Sequence, residues 1–218
     1  MIHAYEDSYL PDAQASLADY FDYVINGCGI DPDMAGTLFA RSEWGRQFER
    51  GNPSVVAGMS GTELAQAVLA DAFLVADYPS PRFEEERSPE FWVGWALAAF
   101  QWRFACSFKE VFSRVPLTEL LAWYPLYHEM GQDQFDDALR ETLRERRGET
   151  NLKRIREARG LSQSALAARA EVGLRSIQMY EQRVNDIGKA QGCTLYRLSL
   201  VLGCSIEDLL ESPNGLPD

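Results

Sequence analysis

Between positions 152 and 182 the chain reads LKRIREARGLSQSALAARAEVGLRSIQMYEQ. Arg175, Gln178, Met179 and Gln182 recur there at three- and four-residue intervals, which gathers them along one side of a helix, with Leu174 at its tip. These side chains suit the edges of nucleobases. A guanidinium pairs with guanine, a carboxamide with adenine, and an apolar group such as Leu174 or Met179 meets a thymine methyl. A good bidentate contact discriminates by roughly 1–3 kcal/mol, which makes Arg175 and Gln178 the expected determinants of sequence preference. Ser162 has the chemistry of a helix N-cap, where free backbone amides and a positive dipole suit a phosphate. Arg183, Asn185 and Lys189, in the segment that follows, suit phosphate contacts that set register without reading bases. The implied ligand is double-stranded DNA bearing an operator.

Several short elements must hold those residues in place. Leu152, Ile155 and Ala158 give a first helix an inward face, leaving Lys153, Arg154, Arg156 and Arg159 outward, and Gly160 ends it. Ser162 opens a second helix, whose Leu166, Ala167 and Ala170 permit close approach of a third. That third helix runs from about Leu174 to Gln182, anchored by Val172 and Ile177, with Tyr180 beneath it. Thr194 to Leu202, a stop at Gly203, and Ser205 capping Ile206 to Leu210 complete the set. Two short helices crossing at a tight turn describe a unit that can place one of them in a major groove.

On these residues, positions 151–211 resemble the Xre, or Cro/repressor-type, helix-turn-helix family, a five-helix bundle. The resemblance implies that Gln163, directly after the cap, hydrogen-bonds the DNA backbone. The sequence departs from the family pattern in three ways. The turn usually reads Gly-Val-Ser, whereas here it reads Glu171-Val172-Gly173. A left-handed Glu costs about 1 kcal/mol, and Gly is a weaker cap than Ser. Arg183 stands where Gly is common, and the loop after Glu181 is long.

Charge is divided unevenly. The chain of 218 residues has a net charge of −12, yet residues 1–140 hold 22 acids and 9 bases, while residues 141–218 hold 11 and 12. Nucleic-acid affinity follows local patches rather than the total, and Arg144, Arg146, Arg147, Lys153, Arg154, Arg156 and Arg159 cluster in sequence. The acidic front portion suits a basic protein partner, or simply solubility. Cys28, Cys106, Cys193 and Cys204 lie far apart with only His3 and His128 to help, so they read as reduced, mostly buried thiols of a cytosolic protein without a metal site. The most apolar stretch, Phe91–Phe108, is too short and interrupted to span a bilayer.

The front portion also reads as helical, so the expected fold class is all-α. Leu10, Leu17, Tyr20, Phe21 and Val24 recur at helical spacing up to Gly27-Cys28-Gly29, and Asp31-Pro32-Asp33 opens the next helix. A polar, glycine-rich stretch from Arg50 to Gly61 separates two helical pieces. Thr62 to Tyr78 follows, then an exposed connection through Pro79-Ser80-Pro81 and Glu84-Glu85-Glu86. Ser88-Pro89-Glu90 caps a long helix carrying Phe91, Trp92, Trp95, Phe100, Trp102 and Phe104; apolar all round, it reads as central. Gln132 to Arg147 is amphipathic. The expected division is an acidic helical domain at 1–147, for partner binding, dimerisation or sensing, and a DNA-binding domain at 148–218.

No catalytic or cofactor constellation appears; Cys28 or Cys106 with His128 could form a nucleophile–base pair only as two separated residues, and the expectation is a non-enzyme without cofactor. The phrase Ser88-Pro89-Glu90-Phe91-Trp92, followed by Gly94-Trp95-Ala96-Leu97-Ala98 and Gln101-Trp102, resembles a group of bacterial antitoxin-like regulators encoded beside toxin genes, sometimes ADP-ribosyltransferase-like ones. That resemblance implies a cognate toxin as a partner. One helix-turn-helix reads only a few base pairs, so the expected binding species is a homodimer.

Overall fold

The computed structural model describes residues 3–73, 78–81 and 87–211, and among them every regular element is helical. The fold class is the all-α one expected. Two compact units divide the described residues, one ending at Arg146 and the other beginning at Arg147.

In the first unit, Leu10–Asp22 (α1) runs into a wider turn over Tyr23–Gly27, and the chain escapes through Gly29 at φ +70°. Asp31 accepts from the Met34 amide at 3.0 Å and starts Pro32–Arg41 (α2), as its Asp-Pro-Asp sequence dictates. Glu43–Glu49 (α3) follows under a Ser42 cap. The glycine-rich stretch expected to be a plain connection contains one helical turn, Pro53–Val56 (α4), because Val55 and Val56 are buried in the core. Gly61–Phe73 (α5) accounts for the described part of the next helix, and Glu84-Glu85-Glu86 lies outside the described residues.

Ser88 caps Pro89–Phe104 (α6), the aromatic helix, by accepting from the Phe91 amide at 3.0 Å. It buries Val93, Ala96, Leu97, Ala98, Phe100 and Gln101, which confirms its central place. Its closest neighbour is α1, and Gly94 makes that approach possible. A Cβ there would sit 2.5 Å from the Leu17 carbonyl oxygen, inside any tolerable contact. Phe108–Arg114 (α7), Leu117–Ala122 (α8), Tyr124–Tyr127 (α9) and Gln132–Glu145 (α10) complete the unit. Tyr20, Phe21, Phe39, Phe48 and Phe108 interlock edge-on or tilted around the centre, with ring centres 4.9–6.2 Å apart.

The second unit is a bundle of five short helices: Asn151–Ala158 (α11), Gln163–Ala170 (α12), Leu174–Glu181 (α13), Gly192–Leu202 (α14) and Ile206–Leu209 (α15). Leu152, Leu166, Ile177, Leu198, Leu202 and Leu209 form its core, separate from that of the first unit. Gly203 ends α14 at φ +60°, and Ser205 with Asp208 closes a reciprocal cap on α15. Among the described residues, no helix is long and apolar enough to cross a membrane. The four cysteines are free, but only Cys106 is fully buried; Cys28 and Cys204 are half-buried and Cys193 is exposed, contrary to the mostly buried set expected.

One buried charge joins α6 to α10. Asp136 is 1% exposed, accepting from Arg103 at 2.6 Å and from Gln132 at 2.7 Å. Burial pushes its carboxyl up to about 6; the Gln132 and Arg103 contacts oppose this, and Asp133 and Asp137 add to it. Because the folded state then holds its proton to a higher pH than the unfolded chain, this group's stabilising contribution is present in acid and lost as pH rises through 6. Acidification from pH 7 to 5 is therefore expected to stabilise the wild type relative to Asp136→Asn by about 1 kcal/mol, read from paired urea unfolding curves. A pH-independent difference between the two proteins refutes the assignment.

Candidate nucleic-acid interface

The second unit is assembled around a carboxylate. Arg156 was expected to point outward with its basic neighbours, but it is buried at 6% exposure. Its Nε donates to Glu181 Oε1 at 2.6 Å, its Nη2 to Glu181 Oε2 at 3.0 Å, and its Nη1 to the Leu161 carbonyl at 2.7 Å. Position 156 falls one turn after Leu152 and so shares the inward face; Ala158, expected inside, is exposed instead. The Glu181 contacts raise the Arg156 guanidinium above its ordinary value, so it remains charged. Gln163 Nε2 also donates to Glu181 Oε2, at 2.8 Å. Three helices thus meet on one side chain.

Ser162 caps α12 as expected, its Oγ accepting from the Ala165 amide at 3.0 Å. The turn then passes through Glu171 at φ +52°, the left-handed conformation that its family pattern assigns to Gly. The Glu171 carboxylate lies 3.7 Å from Arg197, and both side chains are at least half exposed. Gly173 begins α13 with no side-chain cap.

Along α13, Ile177 and Glu181 face inward. Leu174, Arg175 and Gln182 are exposed, while Gln178 and Met179 are half-buried. Among the described residues, Arg175, Gln178 and Gln182 make no side-chain hydrogen bond or ion pair within the chain. Asn185 donates to the Met179 sulfur at 3.8 Å, which ties the loop back to the helix. Lys189 is exposed, with Asp186 at 3.8 Å. Arg183 differs from the loop contact expected of it. Its guanidinium donates to the Gly148 carbonyl at 2.9 Å and to Glu211 at 3.0 Å, fastening both ends of the unit, and its φ is +56°. Sequence reasoning missed Arg156 and Glu181 because the two are 25 positions apart, and it overlooked Arg169, an exposed cation that has no partner among the described residues.

Residues 152–209 match the helix-turn-helix family model. The match is of the Cro/repressor type, and it identifies the second unit as the DNA-binding part of a regulator. No curated protein and no solved structure matches the chain.

The combination of cysteine with His128 is not assembled. His128 Nδ1 bonds the Tyr124 carbonyl at 2.7 Å, Cys106 lies 3.8 Å from both the Ser107 carbonyl and Glu110, and Cys28 sits beside Tyr23. Burial, then Glu110, pushes the Cys106 thiol far up, which keeps it protonated and unreactive. Among the described residues, no cluster of His, Cys, Asp or Glu has the arrangement of a metal site.

Two outcomes follow from the domain's construction. Glu181→Gln leaves buried Arg156 with only the half-exposed Glu157, 3.1 Å from its Nη2, as counter-charge and is expected to destabilise the second unit by about 2 kcal/mol in urea unfolding; a loss under about 0.5 kcal/mol contradicts the role given to the pair. Glu171→Gly relieves the left-handed residue while removing only an exposed ion pair, so a gain of about 1 kcal/mol is expected, and a loss would place the strain elsewhere.

Proposed function

We propose that the protein is a sequence-specific transcriptional regulator, in its simplest form an autorepressor, that reads operator DNA with α13. A single observation carries this reading: Arg175, Gln178 and Gln182 make no side-chain hydrogen bond or ion pair among the described residues, whereas the polar groups that fix α13 in place are consumed internally. Leu174 and Met179 add apolar contact to thymine methyls. Ser162, Gln163, Asn185 and Lys189 supply backbone contacts, with Gln163 already oriented by Glu181. Arg183 serves this interface indirectly, by closing the unit. The reading involves no catalytic step and no cofactor. It requires a homodimer, because two half-sites about 34–36 Å apart give the affinity that one module lacks.

A second reading, that the first unit binds and neutralises a cognate toxin with DNA binding attached, is favoured by its acidic balance of 22 acids to 9 bases over residues 1–140. A basic partner would be steered to such a surface.

Selection from random duplex DNA with the intact protein tests the first reading. A two-fold symmetric motif is expected to emerge. Combined Arg175→Ala and Gln178→Ala substitution should reduce preference for that motif by about a hundredfold while salt-dependent, sequence-independent binding remains. Undiminished preference in the double variant would remove α13 from the reading role.

A further inference from the structure

The first unit holds a cleft of about 260 Å3 lined by Arg87, Phe91, Trp92, Trp95, Tyr124 and His128, and nothing in the DNA reading uses it. Its walls are rings. Trp92 meets Tyr124 edge-on at 5.6 Å between centres, and Tyr124 stacks on His128 at 4.4 Å. Trp95 is 39% exposed even though it belongs to the helix that carries the core. Such walls favour a flat ring that can stack or meet them edge-on. The volume lies just below the roughly 300 Å3 at which pockets for drug-sized ligands begin, so the fit is to one small fused ring system.

The polar groups set the rest of the ligand's chemistry. Arg87 lies 4.1 Å over the Phe91 ring and retains spare donors; among the described residues the acid it pairs with is Asp19 at 3.9 Å, with both side chains exposed. The indole N–H groups of Trp92 and Trp95 have no acceptor among the described residues. His128 donates through Nδ1 to the Tyr124 carbonyl, leaving Nε2 outward with Glu129 at 3.7 Å. Among the described residues, no carboxylate lines the cleft. A lining whose spare hydrogen-bonding capacity is mostly donor calls for a ligand that supplies acceptors. The acidic balance of the unit opposes an anion at long range, where salt screens it beyond about 8–10 Å; at short range the Arg87 guanidinium and the indole N–H groups supply the attraction, against Asp19 beside Arg87 and Glu129 beside His128.

We propose that this cleft binds a small planar aromatic compound carrying a carboxylate or an equivalent acceptor group. The proposal is independent of how, or whether, α13 reads DNA.

Calorimetric titration of the intact chain with 2-naphthoate, 2-naphthol and naphthalen-2-ylmethylammonium tests it. Expected is saturable binding of one 2-naphthoate per chain with a Kd below about 1 mM, tighter than either analogue. Trp95→Ala should weaken naphthoate at least about tenfold, and Arg87→Gln should reduce it to the affinity of naphthol while leaving naphthol unchanged. Both side chains are exposed, so unchanged thermal midpoints are expected to accompany these losses. No saturable heat at about 10 mM naphthoate, equal or tighter binding of the ammonium, or undiminished affinity in Trp95→Ala would each overturn the proposal.

Discussion

The carboxylate of Glu181 is the constraint on which the DNA-binding unit is organised. A charge with its side chain 2% exposed is costly to bury unless it is paired and its remaining lone pairs are satisfied. Arg156 meets it with two donors from α11, and Gln163 adds a third from α12. Such a network is weak as a source of net stability, since an apolar cluster of the same size would do as well. Its effect is geometric. With Glu181 and Ile177 turned inward one helical turn apart, positions 175, 178 and 182 fall elsewhere around α13 and its C-cap, and their polar groups have no partner among the described residues.

The same network accounts for what could and could not be read from the chain. Local signals were legible because their causes are local. Asp31, Ser88, Ser162 and Ser205 cap the helices they precede, Gly203 stops α14, and Glu171 adopts the left-handed turn that its place in the motif demands. The missed features depend on partners distant in sequence. Arg156 looks like one member of a basic helix face until Glu181 is brought to it from 25 positions away, and Arg183 looks like a loop cation until Gly148 and Glu211 converge on it. Asp136 is the corresponding case in the first unit, buried against an arginine 33 positions earlier. The turn at α4 was hidden for another reason. Its flanking glycines and Pro53 signal a loop, and only the burial of Val55 and Val56 gives four residues reason to be helical.

The candidate site was legible as a row of residue types but not as a set of available groups. Counting cations between positions 144 and 159 overstates the positive charge that faces outward, because Arg156 is sequestered and Lys153 is held by Glu149 at 2.7 Å. What decides availability is the cost of breaking each pair. Exposed pairs such as Lys153–Glu149, Lys189–Asp186 and Arg197–Glu171 are worth no more than about 1 kcal/mol, so an approaching phosphate can claim those cations. The buried Arg156 cannot be claimed without dismantling the unit.

Residues 141–218 balance 11 acids against 12 bases, which leaves little general attraction for a polyanion. Binding must then come from a few cations placed well rather than from a broad basic surface. On the proposed reading Arg175, at the start of α13, is one and Arg169, near the end of α12, is another; both are exposed and without a partner among the described residues. A unit with so small a net charge is expected to bind non-specific duplex weakly. On the proposed reading, discrimination falls to base contacts along α13 and to the doubling of those contacts in a symmetric pair, which is the condition under which a nearly neutral reader can still find one site among many.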